Sequence, residues 1–210
     1  MSDNAPGGPD HVCLFDAASE QHGYFTSEQA HRCGFDWRAL HYHTARGRFV
    51  RVRRGLYRLR DYPAWSREEI VAAWLAAGPE AAVSHESALD LLALADVTPD
   101  RVHVTVPRSR RGAAPVPGVT LHTTVRPLRR DEVTTVEGVR LTSAARTIAD
   151  AAERGIGPEQ VELAVAQALR RGLTTPEELR EQARGRGRRV AELVENALER
   201  AKRAETRATT

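Results

Sequence analysis

A two-part α+β chain is predicted by three observations. Its 210 residues suffice for one small and one medium domain, each able to bury a core. The basic excess is confined to one stretch: residues 20–60 carry nine arginines against Glu20, Glu28 and Asp36, a net +6, whereas residues 1–19 sum to −3 and residues 61–210 to zero. Three short helical patterns followed by a basic hairpin then give way to a mixed series of strands and helices. Such segregation of charge is expected of a phosphate-binding module rather than of a generally basic protein.

In the first part, Val12, Phe15 and Ala18 or Ser19 recur at helical spacing, with Leu14 and Ala17 alongside, until Gly23 stops the run. Thr26 followed by Gln29 forms a capping box, so a second helix is expected from Ser27 to about Cys33, ended by Gly34. Asp36 caps a third, Trp37 to Arg46, closed by Gly47. The segment FVRVRRGLYRL alternates apolar and basic residues about Arg54-Gly55 and is expected to form a two-stranded hairpin. Three helices and a basic hairpin follow the order of a winged helix-turn-helix.

Asp61 to Ser66, containing Pro63, is expected to be a linker, and Ser66 with Glu69 a capping box opening the next helix. SHESALDLLALA from Ser84 is a further helix; RVHVTVP and GVTLHTT alternate as strands around a basic loop at residues 108–117. VTTVEGVRLT is a hairpin turning at Glu137-Gly138, and helices are expected over Ser143–Glu153, Pro158–Arg171, Pro176–Arg184 and Arg188 to about Arg200. The predicted organisation is a disordered tail at 1–10, the winged helix at 11–62, a mixed α/β domain with a small sheet and a helical C-terminal part at 63–200, and a frayed tail at 201–210. The polar start and the lack of a bilayer-length apolar run predict a cytoplasmic chain with no membrane partner. In that setting Cys13 and Cys33 are expected to be small packing residues rather than a disulfide.

At about 100° per residue, Arg38, His41, Tyr42 and Ala45 share one face of the third helix, while Trp37, Leu40 and Thr44 share the side expected to face the core. Arg38 and His41 can hydrogen-bond base edges in the major groove, Tyr42 can stack or reach a phosphate, and Arg46 lies at the end of the helix. Thr26 and Ser27 would offer amides and hydroxyls to a phosphate, and Arg51, Arg53 and Arg54 would grip the backbone or enter the minor groove. An ordinary solvated arginine-rich surface is the competing account.

The segment YFTSEQAHRCGFDWRALHYHTARGRFVRVRRGLYRL resembles the N-terminal winged helix of AbiEi-type antitoxins of type IV toxin-antitoxin systems. SHESALDLLALADV, RVHVTVP and GVRLTSAARTIADAA resemble the domain that accompanies it. The resemblance implies a repressor binding double-stranded DNA at its own promoter. It also implies a functional partner, a nucleotidyltransferase toxin, counteracted through the second domain without necessarily forming a stable complex. A protein-interaction adaptor, or a general transcription regulator unrelated to a toxin, is the alternative. Relatives of the front half can end in a very-short-patch-repair-like endonuclease, but residues 158–200 have helical patterns and lack its acidic cluster.

Enzyme chemistry is not expected. Lys202 is the only lysine, which removes a P-loop or Schiff base, and no G-x-S-x-G or D-x-D motif occurs. No catalytic residue, cofactor or metal is predicted: His31, Cys33, His41 and His43 match no standard zinc spacing. His85-Glu86 is expected to be a polar first turn, and Arg146 with Asp150 an intrahelical ion pair. Arg108, Arg110, Arg111 and the segment Arg184–Arg189 are either solvated loops or a second contact surface.

Overall fold

The computed structural model describes residues 8–110 and 116–208. The chain divides into two compact units, Met1–Pro79 with Glu137–Val139, and Glu80–Val136 with Arg140–Thr210. The expected class is observed: α+β, with an N-terminal winged helix-turn-helix and a mixed domain ending in helices.

The first unit holds α1 (His11–Ser19), β1 (Tyr24–Thr26), α2 (Ser27–Arg32), α3 (Trp37–Ala45), β2 (Phe49–Arg53), β3 (Leu56–Leu59) and α4 (Glu68–Ala77). Side-chain caps set the helix starts. The Asp10 carboxylate accepts from the Val12 and Cys13 amides at 3.0 Å, and that of Asp36 from the Ala39 amide at 2.7 Å. Thr26 and Gln29 cap each other, as expected. The strands form an antiparallel sheet ordered β1-β3-β2; β1, a strand without a sequence expectation, pairs Phe25 with Tyr57. Phe25, Phe35, Leu40 and Phe49 meet Leu14 and Ala18 in the core. Cys13 packs against this core, while Val12 and Phe15 of α1 stay outside, 70% and 55% exposed.

Two expectations change here. Cys13 and Cys33 form a disulfide rather than separate packing contacts. The Asp10 amide donates to the Cys33 carbonyl at 2.8 Å, which brings the start of α1 to the end of α2 and the two Cα atoms to 5.6 Å, within bridging range. At α4 the Ser66–Glu69 box is replaced: the helix starts at Glu68 without a side-chain cap. The Glu68 carboxylate instead accepts from Arg58 on β3 at 2.9 Å and from the Tyr24 hydroxyl on β1 at 3.0 Å. These bonds hold α4 against the winged-helix sheet, beyond the break expected at residue 62.

The second unit holds β4 (Ala82–Val83), α5 (His85–Leu91), β5 (Val102–Pro107), β6 (Val119–Thr124), β7 (Val133–Val136), β8 (Val139–Thr142), α6 (Ala144–Arg154), α7 (Pro158–Arg170), α8 (Pro176–Ala183) and α9 (Arg188–Ala208). Its sheet is mixed and ordered β6-β5-β4-β8-β7; β4 runs antiparallel to β5 and parallel to β8, and β5 parallel to β6. The expected turn at Glu137-Gly138 forms with both residues at positive φ, 48° and 74°, as a tight hairpin requires. Helix α7 buries Val161, Ala164, Val165 and Ala168 and packs on α9, which buries Val190, Val194, Ala197 and Leu198. The tail expected to fray from residue 201 continues α9 to Ala208. Its Ala, Arg, Lys and Glu favour helix, and Arg203 pairs with Glu199 one turn back at 3.0 Å. No helix among the described residues is long and apolar enough to cross a membrane.

Candidate nucleic-acid interface

Helix α3 divides into a packed and an open face. Leu40 and His43 are buried, and the His43 ring packs against Phe35, Phe49 and His11 with centroids 5.0–5.6 Å apart. Burial, with the nearby His11 and Arg48, lowers the His43 pKa, so this ring belongs to the core as a neutral group. Arg38, His41, Tyr42, Ala45 and Arg46 are exposed, as expected. Trp37 is a correction: instead of facing the core beside Leu40 and Thr44 it is 68% exposed. It occupies the first helical position after the Asp36 cap, ahead of the turn whose side chains pack inward. The Arg38 guanidinium lies 5.6 Å from the Trp37 ring centroid and that of Arg46 5.1 Å from Tyr42, so two cations rest on exposed aromatic rings.

The hairpin supplies the second group. Arg51 and Arg54 are exposed and Arg53 half-buried, and Gly55 takes φ +74° to make the turn. Thr26 and Ser27 have less to offer an anion than expected, because both amides bond within the protein. That of Thr26 donates to Gln29 Oε1 at 2.8 Å and that of Ser27 to the Gly55 carbonyl at 2.9 Å, leaving only the hydroxyls. Arg58 and Arg60 are also engaged internally, with Glu68 and with the Gly47 carbonyl. Among the described residues no ion pair engages Arg38, Arg46, Arg51, Arg53 or Arg54. The residues of the rejected zinc set stay apart in role: Cys33 is bridged, His43 is in the core, and His31 and His41 are exposed.

Residues 14–60 match the family model described as "Transcriptional regulator, AbiEi antitoxin". The AbiEi match runs from α1 to just past β3, so it contains the open face of α3 and the whole hairpin, and spans less than a quarter of the chain. No curated protein matches the chain. Among solved structures, the crystal structure of RV2827C protein from Mycobacterium tuberculosis is similar at 14% identity with a TM-score of 0.57, covering 94% of this chain and 79% of that one. At that identity the likeness speaks to the fold.

Outside the AbiEi match, the second unit gathers polar groups that the sequence left scattered. Arg146 and Asp150 do pair, with Arg146 Nε 2.9–3.0 Å from both carboxylate oxygens, but Asp150 is buried and Arg186 joins it at 2.5 Å. Arg146 also reaches the fully buried Glu132 at 3.2 Å, which Arg126 holds through two bonds of 2.6 and 2.7 Å. Burial alone would raise the Glu132 pKa; the Arg126 guanidinium, the Arg129 amide and Arg146 outweigh it and bring it down to about 2. Arg186 turns inward onto Asp150 and Glu153, and the exposed Arg189 reaches the Ala152 and Glu153 carbonyls at the end of α6, whereas Arg184 and Arg188 stay open to solvent, so Arg184–Arg189 is only in part an open basic strip. Arg108 and Arg110 are exposed, and Arg111 lies outside the described residues. His85-Glu86 is more than a polar first turn: His85 is buried, and Glu86 lies 3.1 Å from His103, a residue the sequence did not single out.

Proposed function

We propose that the chain is a regulator that binds double-stranded DNA, with α3 in the major groove and the β2–β3 hairpin on the adjoining backbone. The observation that carries this reading is the outward face of α3. It presents Arg38, His41, Tyr42 and Arg46 without an acidic residue among them, while the packed face commits Leu40 and His43 to the core. Side chains on such a face reach base edges, and the hairpin arginines reach phosphates. Thr26 and Ser27 would contribute hydroxyl contacts at the flank.

The finer reading is a type IV antitoxin. DNA binding by residues 11–62 represses the chain's own operon, and the segment at 63–200 counteracts a nucleotidyltransferase toxin; no catalysis is assigned to the chain itself. The AbiEi match over residues 14–60 supports the first half. The second half rests on the resemblance of residues beyond the match. Fluorescence anisotropy of the full chain on the region upstream of its gene and on a scrambled duplex, at two salt concentrations, tests the DNA reading. Preference for the upstream duplex is the expected result, and equal binding to both at every salt concentration overturns autoregulation. Co-expression with an adjacent nucleotidyltransferase tests the pairing; growth is expected to be restored.

A further inference from the structure

Three histidines from three elements converge in the second unit. His85 opens α5, His103 lies in β5 and His122 in β6, and one ring nitrogen of each lies within 4.8 Å of the other two. The parallel register sets Thr105 opposite His122, so His103, two residues before Thr105, projects from the same side of the sheet.

The contacts are not those of a satisfied hydrogen-bond network. Nδ1 of His103 lies 3.1 Å from Nε2 of His122 and 3.1 Å from Oε2 of Glu86. A ring nitrogen offers either one proton or one lone pair, so it cannot fully satisfy both neighbours. Glu86 Oε2 is buried and accepts no hydrogen bond among the described residues. Lone-pair atoms about 3 Å apart have the spacing of ligands around a small cation: two donors 2.0–2.1 Å from a tetrahedral zinc ion stand roughly 3.3 Å from each other. Nδ1 of His85 is 2.9 Å from the Ser84 hydroxyl, which also accepts from Thr105 at 2.8 Å; such a contact sets which ring nitrogen faces a metal. The His85 backbone holds φ +53°, a left-handed conformation unfavourable for a non-glycine residue, so the surrounding fold fixes this ring against a local penalty.

We propose that His85, His103 and His122 bind a divalent transition-metal ion of the zinc class. Glu86 is the anionic neighbour at His103, and the remaining coordination position opens to the adjoining cavity of about 310 Å³, which His85, His122 and Arg154 help to line. His85 and His103 are buried and His122 is half-buried, so the three rings meet away from bulk water. The rings of His85 and His122 are stacked 3.6 Å apart, so one must turn for both nitrogens to face an ion. His122 is the half-buried ring beside the cavity and has room to do so, whereas His85 is tied to Ser84. Arg146, Arg154 and Arg186 on the cavity wall oppose a cation; Glu86 beside Arg154, Asp150 between Arg146 and Arg186, and Glu153 at Arg186 offset them.

The test uses the full chain, stripped with a chelator and titrated with Co²⁺ and then Zn²⁺ alone. One equivalent of Co²⁺ is expected to give visible d–d absorption of tetrahedral strength that one equivalent of Zn²⁺ bleaches. His122→Asn should weaken binding at least tenfold, while His31→Ala, an exposed histidine of the other unit, should leave it unchanged. Absence of the cobalt bands, or equal affinity in His122→Asn and wild type, overturns the proposal. Should His122→Asn fail to fold, imidazole ¹⁵N spectra of the wild type decide the matter. Zn²⁺ must move the ring nitrogens of His85, His103 and His122 and leave the other five of the eight histidines in place; any other set overturns it.

Discussion

Reduction of Cys13–Cys33 is expected to destabilise the winged-helix unit and leave the sheet unit nearly untouched. The bridge closes a ring across a sequence separation of 20. Loop-closure entropy for a ring of that size corresponds to about 3 kcal/mol at 25 °C. For a unit of this size about 3 kcal/mol displaces the melting temperature by on the order of 10–20 °C. The chain carries its own reporter, because Trp37, Trp65 and Trp74 all lie within Met1–Pro79. Tryptophan emission therefore follows the first unit, and far-UV circular dichroism is weighted toward the helices of the second. With a thiol reductant, the tryptophan transition should fall by the stated amount while the main dichroism transition holds. The Cys13→Ala/Cys33→Ala variant should melt as the reduced wild type does, which separates the cross-link from the reductant. Two titratable thiols in the native chain, or a tryptophan transition displaced by under about 3 °C, would refute the reasoning.

Three further outcomes are expected. Arg38→Ala should cost on the order of 1–3 kcal/mol on the cognate duplex and little on random DNA, whereas Arg53→Ala and Arg54→Ala should weaken both alike and reduce the salt slope by about one per lost phosphate contact; anisotropy at several salt concentrations distinguishes them. Trp37→Ala should change stability by no more than about 0.5 kcal/mol, because the ring is exposed, yet weaken DNA binding; a large drop in the tryptophan-unit melt would return Trp37 to the core. Glu132 is held below the ordinary carboxylate range, so its stabilisation is present above about pH 4.5 and is lost as pH falls toward about 2, with an upper bound of about 3 kcal/mol. Urea unfolding of Glu132→Gln should show lower stability than wild type at pH 7, and the gap should narrow below about pH 4.5 and close only near pH 2.

The local chemistry of the first unit was legible because its signals act over a few residues. The Thr26–Gln29 box, the Asp36 cap and the turn at Gly55 each fix a boundary through bonds to near neighbours. What needed long-range contacts was not legible. Cys13 and Cys33 become partners only when α1 docks on α2, and Glu68 displaces the Ser66 cap only because β1 and β3 bring Tyr24 and Arg58 to it. The histidine cluster was hidden for the same reason. In VHVTVP and VTLHTT the polar positions alternate as a solvent-facing side would, yet the structure buries His103 and Thr105. Parallel pairing of β5 with β6 brings His122 alongside, and no short-range spacing records it.

Among the described residues the order β1-β3-β2 leaves β2 with one side unpaired, and Val50 and Val52 are exposed there, next in sequence to the exposed Arg51 and half-buried Arg53. A β-branched strand with free amides and carbonyls is a template for pairing with another copy, and flanking charge is a common safeguard against it. The arginines proposed to grip DNA thus also act as gatekeepers of colloidal behaviour. Neutralising them would trade nucleic-acid affinity for self-association, and the turbidity of concentrated Arg51→Ala/Arg53→Ala, compared with wild type, would register that exchange.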